Sequence, residues 1–249
     1  MVTKLWGMSP RRMPPIGFAH RGARSELPEN TLPAFEAAVR LGYRYLETDV
    51  QATADGVLLA FHDDDLQRTC GVTGRISEMP WSKVSEARVH GREPIPLFAD
   101  LVEAFPEARL NIDCKTDAAL DPLAAALKRH HLLDRVCIGS FSHRRLARLR
   151  LMFGSELCTA MSPSEVARWV SGVMPKGAQV AQVPVRQGPL PVVTGRSVER
   201  AHRHGIPVHV WTIDDAAEMH RLLDLGIDGL MTDRPTVLRD VLVERGAWH

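Results

Sequence analysis

Short apolar runs alternate along this chain with longer stretches in which apolar residues recur every three or four positions. The short runs are typical of buried strands and the longer stretches of amphipathic helices. Several helical stretches end at a glycine, which suits a helix terminus before the next strand. The predicted strands are residues 16–20, 45–51, 58–62, 109–115, 136–142, 156–161, 179–185, 208–213 and 229–232.

One of these runs, residues 58–62, follows the preceding run so closely that we expect it to be its hairpin partner. The other eight strand–helix units predict an α/β fold, a (β/α)8 TIM barrel. A doubly wound open sheet is disfavoured because no glycine-rich dinucleotide loop follows the first strand. Several glycines and prolines interrupt the alternation at residues 52–96. We therefore expect one domain over residues 1–249, with a small insertion after the second strand, about residues 52–96, over the barrel mouth.

Two acids one residue apart lie on the second predicted strand, and a histidine follows them across a turn. Because side chains alternate between the faces of a strand, Glu47 and Asp49 share one face. Asp55-Gly56 is a strong signal for a two-residue hairpin turn, which would place Asp49 opposite His62. Two like charges on a largely apolar strand are costly unless they share a cation or a proton. The segment therefore predicts a catalytic site rather than a solvated acidic strand.

Further candidate residues lie where other strands end. His20 and Arg21 follow the first strand, at the face where barrel active sites form. On the strand at residues 109–115, Asp113 and Lys115 share a face, so a third carboxylate and a cation enter the barrel. The alternative for these two residues is a buried ion pair that only fills the interior.

The charges of these side chains indicate a ligand. Three carboxylates with no cluster of Cys or His favour a hard divalent cation, Mg²⁺ or Ca²⁺, over zinc. With one such ion the acids sum to −1, and Arg21 with Lys115 brings the total to +1, which complements a phosphodiester. His20 and His62 would exchange protons near neutral pH. The predicted metal ligands are Glu47, Asp49 and Asp113.

The overall composition favours a small-molecule ligand. The 31 basic and 30 acidic residues nearly cancel and form no polybasic tract, so we expect neither nucleic acid nor an anionic membrane as a partner. No run approaches the ~20 apolar residues of a membrane span. Arg11-Arg12 is followed by Met13-Pro14-Pro15 rather than by the apolar core of an export signal.

The cysteines predict the compartment. They have no CxxC spacing, and three of them fall in or beside predicted strands, so we expect them to be reduced and to pack as small apolar residues. A cytoplasmic protein follows from that expectation. The four cysteines are Cys70, Cys114, Cys137 and Cys158.

Seven motifs occur in order between about residue 16 and residue 240. Each one is ambiguous alone, but the ordered set is specific, and together they resemble the glycerophosphodiester phosphodiesterase family. They are His20-Arg21-Gly22, Pro28-Glu29-Asn30-Thr31, Glu47-Thr48-Asp49, His62-Asp63, Asp113-Cys114-Lys115, Trp211-Thr212, and Asp228-Gly229 with Thr232-Asp233-Arg234-Pro235.

The resemblance implies a metal-dependent enzyme that hydrolyses glycerophosphodiesters to sn-glycerol 3-phosphate and an alcohol. It also implies a barrel with a small insertion after the second strand. The family commonly has Glu at the third metal position, where this chain has the shorter Asp113. The implied roles are acid–base catalysis for His20 and His62, metal binding for Glu47, Asp49 and Asp113, phosphate binding for Arg21 and Lys115, and lining of the substrate pocket for Trp211.

Two other functions remain open at this stage. A lysophospholipase D would need an apolar wall for a lipid-like substrate, which residues of the insertion would supply. A non-catalytic barrel that binds a phosphoglycerol ligand is disfavoured because both histidines, all three acids and both cations are present. The sequence does not decide the roles of Glu29 and His209 or the oligomeric state. The candidate wall residues are Met79, Trp81, Ile95 and Leu97, for which the alternative is that they only pack the insertion.

Overall fold

The computed structural model describes residues 14–248, so the expectation about Arg11-Arg12 lies outside the described residues. The strands are β1 (Ile16–His20), β2 (Tyr45–Ala52), β3 (Leu58–Ala60), β4 (Arg88–Val89), β5 (Glu93–Pro94), β6 (Arg109–Cys114), β7 (Val136–Gly139), β8 (Cys158–Thr159), β9 (Ala181–Val183), β10 (Arg186–Gln187), β11 (Leu190–Pro191), β12 (Val208–Val210) and β13 (Gly229–Thr232). The helices are α1 (Leu32–Arg40), α2 (Gln67–Cys70), α3 (Trp81–Val84), α4 (Phe98–Ala104), α5 (Leu120–Arg129), α6 (His143–Phe153), α7 (Pro163–Val170), α8 (Gly195–Arg203), α9 (Ala216–Asp224) and α10 (Pro235–Glu244).

Within the described residues, eight parallel strands form the barrel in the order β8, β7, β6, β2, β1, β13, β12, β9. The edge strands β8 and β9 meet through a parallel bridge between Ala160 and Val180, and the amide of Met161 donates to the carbonyl oxygen of Val180 at 2.9 Å. The predicted (β/α)8 barrel is confirmed, and the carboxyl ends of its strands share one mouth. Between residues 14 and 248, none of the helices is both long and apolar enough to cross a bilayer.

Some strands end earlier than the sequence pattern predicts, because residues near the mouth turn into loops and helix caps. The strand predicted at 136–142 ends at Gly139. Ser142 is instead the N-cap of α6, where its Oγ accepts a hydrogen bond from the amide of Arg145. This cap satisfies one of the amides that a helix start leaves without an intrahelical partner.

The predicted register of the hairpin is wrong by one residue. β3 pairs antiparallel with β2 so that Val50 lies opposite Ala60. The amide of Phe61 then donates to the carbonyl oxygen of Asp49 at 2.9 Å, so Phe61 rather than His62 faces Asp49. His62 follows the end of β3, and its position therefore depends on the loop and not on strand alternation.

The length of the turn causes the shift. The amide of Thr53 donates to the carbonyl oxygen of Val57 at 3.1 Å, which leaves a three-residue loop instead of the two residues predicted. The carboxylate of Asp55 accepts hydrogen bonds from the Thr53 hydroxyl at 2.6 Å and from the amide of Trp81 at 2.9 Å. A contact with a distant part of the insertion thus helps to set the turn.

The segment between β2 and α4 has an apolar cluster of its own. This cluster contradicts the proposed lipid wall, because Ile95 is buried inside it and Met79, Trp81 and Leu97 pack against it. These side chains stabilise the insertion rather than line the site. The buried members are Leu59, Phe61, Leu66, Ile76, Val84, Ala87, Val89 and Ile95.

A second, smaller cluster is made by residues of the barrel strands and includes Phe18, which is fully buried. Burying a side chain of this size contributes roughly 2–3 kcal/mol. Cys137 and Cys158 belong to the same cluster, and all four cysteines are free, as predicted. These apolar residues lie below the strand ends, so the polar residues of the barrel are concentrated near the mouth.

Candidate active site

Two strands, β2 and β6, bring the three predicted acids to the same mouth of the barrel, and β1 brings His20. His20 and Glu47 are register partners on β1 and β2, and Asp49 and Asp113 are register partners on β2 and β6. Glu47 and Asp49 are buried and face the same side of β2. Four of the predicted site residues therefore lie at two adjacent levels of one sheet.

Lys115 joins two of these acids. Its Nζ lies 3.1 Å from Oδ1 of Asp49 and 3.0 Å from Oδ2 of Asp113. The other oxygen of Asp113, Oδ1, is buried and has no hydrogen-bond partner among residues 14–248. An unpartnered buried carboxylate oxygen is costly unless a cation or a proton reaches it.

Burial and crowding raise the pKa of two of the carboxyls. The pKa of Glu47 rises to about 7, mainly because burial disfavours its charge and also because Asp49 and Asp113 are close, against the attraction of His20. The pKa of Asp113 is raised by burial and by Asp49, although Lys115 opposes the shift. Burial would also raise the pKa of Asp49, but Lys115 and Arg21 lower it overall. Burial and mutual repulsion thus both disfavour the charged form of two of the three acids, although Lys115 and Arg21 contact the cluster.

Arg21 lies among carboxylates. Its backbone has φ +55°, and its amide donates to Oε2 of Glu47 at 3.1 Å. Its Nη1 donates to Oε1 of Glu29 at 3.0 Å, and its Nε lies 3.0 Å from Oδ2 of Asp49 without the angle of a hydrogen bond. A side-chain amide also supports this acid, since Asn30 Nδ2 donates to Oδ2 of Asp49 at 3.0 Å. The guanidinium of Arg21 is thus already paired with carboxylates of the protein.

The loop after β1 can follow this path because its glycine has no side chain. Gly22 has φ +80°, and a Cβ there would lie 2.6 Å from the carbonyl carbon of Ala34 in α1. The amide of Asn30 donates to the carbonyl oxygen of Arg21 at 3.0 Å and closes the loop. The motif His20-Arg21-Gly22 therefore has a structural reason for its glycine.

His20 is hydrogen-bonded to an acid that has no role in the sequence analysis. Its Nδ1 lies 2.5 Å from Oδ1 of Asp233, and its Nε2 lies 3.6 Å from Oε2 of Glu47. Burial would lower the pKa of His20, but the charge of Glu47 and the hydrogen bond to Asp233 raise it overall. The Nδ1 bond holds the ring so that Nε2 faces the acids.

His62 has the same kind of partner. Its Nδ1 lies 2.5 Å from Oδ1 of Asp63, whose Oδ2 accepts a hydrogen bond from Nε of Arg68 at 2.5 Å. His62 also acts on the acids at a distance, because its charge lowers the pKa of both Asp49 and Asp113. Both aspartates fall within motifs, His62-Asp63 and Thr232-Asp233, but no local pattern in the sequence assigns either of them a role.

An aromatic pair lies beside Lys115. Trp211 is half-buried and contacts Phe141 edge to face, with 6.0 Å between the ring centroids. Nζ of Lys115 lies 5.9 Å from the centroid of Phe141, which is 67% exposed. Phe141 falls within the strand predicted at residues 136–142, but it lies in the loop after β7, and no motif marks it.

His209 lies outside the site. It is fully buried with its ring centroid 4.9 Å from that of Phe18, and burial lowers its pKa to about 3. Its Nδ1 lies 3.4 Å from Nε2 of Gln182, which donates to Oδ1 of Asn111 at 2.7 Å. His209 is therefore a neutral packing residue of the barrel interior.

The acids were tested as ligands of a divalent cation. No group of three or more His, Cys, Asp or Glu side chains within residues 14–248 is spaced to hold a metal ion as it stands. The donor set nevertheless suits a hard cation, because Glu47, Asp49 and Asp113 offer only oxygens and Oδ1 of Asp113 is buried without a partner. Metal binding by these residues stays a prediction.

Comparison with known proteins adds an independent line. The model of the glycerophosphoryl diester phosphodiesterase family matches residues 20–237. The chain is 38% identical over 245 residues to the probable glycerophosphodiester phosphodiesterase 2 of Mycobacterium tuberculosis, with 94% of this chain and 92% of that protein covered. It is 26% identical over 270 residues to lysophospholipase D of Mus musculus, with 90% and 85% covered.

A solved structure extends the likeness to the whole fold. An Oleispira antarctica phosphodiesterase, solved in complex with the product sn-glycerol-3-phosphate, superposes with a TM-score of 0.79 at 23% identity. The match covers 92% of this chain and 97% of that one. The family match spans all three candidate metal ligands, both site histidines and the two aspartates bound to them. The chain therefore belongs to the glycerophosphoryl diester phosphodiesterase family.

Proposed function

We propose that this protein hydrolyses glycerophosphodiesters to sn-glycerol 3-phosphate and an alcohol, with a divalent cation bound. The observation that best supports this proposal is a pair of histidines beside the acid cluster. His20 and His62 are each hydrogen-bonded through Nδ1 to an aspartate. Support also comes from the names of the relatives and from the product bound to the Oleispira antarctica protein.

The two imidazoles would exchange the protons of the reaction. One takes the proton of the attacking hydroxyl, and the other protonates the departing alkoxide. If water attacks, sn-glycerol 3-phosphate forms directly; if the glycerol 2-hydroxyl attacks, a cyclic phosphate forms first and water then opens it to the same product. Each ring has its Nδ1 held by an aspartate, which leaves Nε2 for this exchange. General acid–base catalysis by one such group typically contributes a factor of about 10² to 10⁴. The order of the two roles is open.

The buried acids would hold the cation. Glu47, Asp49 and Asp113 are the proposed ligands, because they offer only oxygen donors and Oδ1 of Asp113 is buried without a partner among residues 14–248. When bound, Mg²⁺ or Ca²⁺ supplies positive charge that polarises the phosphoryl group. The same ion would remove the repulsion that raises the pKa of Glu47.

The cations and the aromatic pair would bind the substrate. Lys115 has part of its side chain exposed at the mouth, and its Nζ can turn from the acids toward a phosphate. Arg21 would contribute mainly through its charge, since two carboxylates already hold its guanidinium. Trp211 and Phe141 would form one wall of the pocket beside Lys115.

Alanine variants of the two histidines test the proposal. His20→Ala and His62→Ala should each lower the kcat for glycerophosphocholine by about 10² or more while KM changes little. His202→Ala is the matched control, because its Nε2 lies 2.8 Å from Oδ2 of Asp228 in a His–Asp pair outside the site. A near-normal kcat in either site variant would defeat the assignment, as would an equal loss in the control.

A lysophospholipase D activity is a second candidate. The exposed aromatic ring of Phe141 beside Trp211 offers an apolar surface at the mouth, and a relative in Mus musculus carries that name. Hydrolysis of glycerophosphocholine and of a lysolipid should be compared directly. Preference for the lysolipid, together with its loss in Phe141→Ala, would favour the second candidate.

The cellular compartment of the protein is also a proposal. Cys137 and Cys158 are register partners on adjacent strands and remain free thiols. Free thiols fit a reducing compartment, so we propose that the protein works in the cytoplasm.

A further inference from the structure

A continuous row of contacts joins the two site histidines to each other, outside the acid cluster. Each aspartate that binds an imidazole is bound on its other oxygen by an arginine, and both arginines meet on one glutamate. We call this row the Glu29 bridge. In order, its members are His20, Asp233, Arg24, Glu29, Arg68, Asp63 and His62.

The half of the bridge that leads to His62 consists of short bonds. Nη2 of Arg68 donates to Oε1 of Glu29 at 2.6 Å, and Nη1 donates to Oε2 at 3.2 Å. Nε of the same guanidinium donates to Oδ2 of Asp63 at 2.5 Å. Arg68 therefore uses both edges of its planar group, one for each carboxylate.

The half that leads to His20 is longer. Nη2 of Arg24 lies 3.3 Å from Oε2 of Glu29, and Nη1 lies 3.4 Å from Oδ2 of Asp233. These are ion-pair contacts rather than tight hydrogen bonds. We therefore expect the coupling to His20 to be weaker than the coupling to His62.

Glu29 is placed to organise this row. Its side chain is only 7% exposed, and Arg21, Arg24 and Arg68 all contact its carboxylate. Burial would raise its pKa, but the hydrogen bond from Arg68 and the charges of the other arginines lower it to about 2. The carboxylate is therefore charged throughout the pH range in which an enzyme would be assayed.

The bridge also connects the barrel to the insertion. Arg24 and Glu29 lie in the loop after β1, and Asp233 follows β13, so these belong to the barrel. Arg68 lies on α2, and Asp63 follows β3, so these belong to the segment between β2 and α4. The side chain of Arg68 is 48% exposed, so its position depends on its contacts with the carboxylates of Glu29 and Asp63 more than on packing.

We propose that Glu29 is a positioning residue that sets both imidazoles at once by holding the two arginines that hold their aspartates. The inference rests on the proposed function, since it takes His20 and His62 to be the catalytic pair. It gives the Pro28-Glu29-Asn30-Thr31 motif a role in catalysis that does not require Glu29 to touch the substrate.

Glu29→Gln tests the proposal, because it preserves the shape of the side chain and removes the charge. We expect kcat to fall about 10- to 100-fold while KM stays within about threefold, as a small misplacement of catalytic groups costs up to about 10². The control is Glu165→Gln, which removes an equally buried carboxylate, 6% exposed and bound by Arg150, away from the site. The control should lose stability with an unchanged kcat.

A spectroscopic readout separates this role from a merely structural one. The Nδ1 proton resonances of His20 and His62, recorded without substrate, should both move in Glu29→Gln, that of His62 more than that of His20. Arg68→Lys should move the His62 resonance and leave the His20 resonance in place. Because no turnover is measured, this result stands even when glycerophosphodiesters prove not to be the substrates.

A combined variant tests whether Glu29 acts on the imidazoles through Asp63 and Asp233. In a chain that carries Asp63→Asn and Asp233→Asn, adding Glu29→Gln should lower kcat by no more than about twofold, since its connections to both imidazoles are already broken. A full additional loss would mean that Glu29 acts through Arg21 instead and would overturn the proposal. Unmoved histidine resonances in a folded Glu29→Gln protein would overturn it as well.

Discussion

At the residue scale, the site depends on partners that distant parts of the chain provide. Strand alternation is enough to predict that Glu47 and Asp49 share a face, because that relation is local. His20 and Asp233 are 213 positions apart in sequence, and they meet because β1 and β13 pair with each other. Asp233 therefore falls within a motif, but its role cannot be read from the sequence around it because its partner is far away along the chain.

For His209 the sequence left open a role in the site that the fold excludes. Its place near Trp211 left a role in the site open, yet it packs against Phe18 inside the barrel. No local pattern shows whether a histidine near the end of a strand lies in the barrel interior or at the mouth. Only the burial that the fold imposes decides between the two.

The burial of His209 predicts a dependence of stability on pH. Its pKa is about 3 in the folded protein against 6.5 for the free side chain, so at low pH the unfolded state binds a proton that the folded state does not. Stability therefore falls as the pH drops below 6.5. Relative to His209→Gln, the wild type should lose about 2 kcal/mol of unfolding free energy between pH 7 and pH 5.

Urea unfolding at a series of pH values measures this difference. Comparing the two proteins removes the contribution of the other titrating groups, which both share. Parallel curves for the wild type and the variant would show that His209 is not held neutral in the folded state.

At the element scale, the alternation of strands and helices was predictable and the exact ends were not. The strand count depends on apolar runs that must be buried on both sides, and those are visible in sequence. The hairpin register depends on Asp55, which binds the amide of Trp81. Such a tertiary contact has no local signal, so the predicted pairing of Asp49 with His62 is wrong by one residue.

The loop after β1 carries Arg21, Glu29 and Asn30, and its close approach to α1 makes it sensitive to substitution. Gly22→Ala should destabilise the protein because the new Cβ would lie 2.6 Å from the backbone of Ala34. We expect a loss of about 2–4 kcal/mol, from overpacking and from the left-handed backbone together.

Gly56→Ala is the matched control for this substitution. Gly56 also has φ +80°, but a Cβ there would meet no atom within 4 Å. Its loss of about 1–2 kcal/mol measures the backbone strain alone. Equal urea midpoints for the two variants would mean that the contact with α1 is not tight.

At the scale of the whole molecule, the barrel places acids from adjacent strands at one mouth, and the insertion brings His62 to them. The eight-unit pattern and the ordered motifs together predicted the fold and the family, and both are confirmed. The interior of the insertion was not predictable in the same way. Its apolar residues suggested a substrate wall in sequence, whereas they form their own packed cluster.

We propose above all that the buried Glu47 and Asp49, with the half-buried Asp113, bind a divalent cation on which hydrolysis depends. The most direct measurement is the release of sn-glycerol 3-phosphate from glycerophosphocholine by protein stripped of metal with a chelator. Activity should vanish after stripping and return on addition of Mg²⁺ or Ca²⁺, but should not return in Glu47→Gln. Undiminished hydrolysis by stripped protein that elemental analysis shows to be free of metal would contradict the claim.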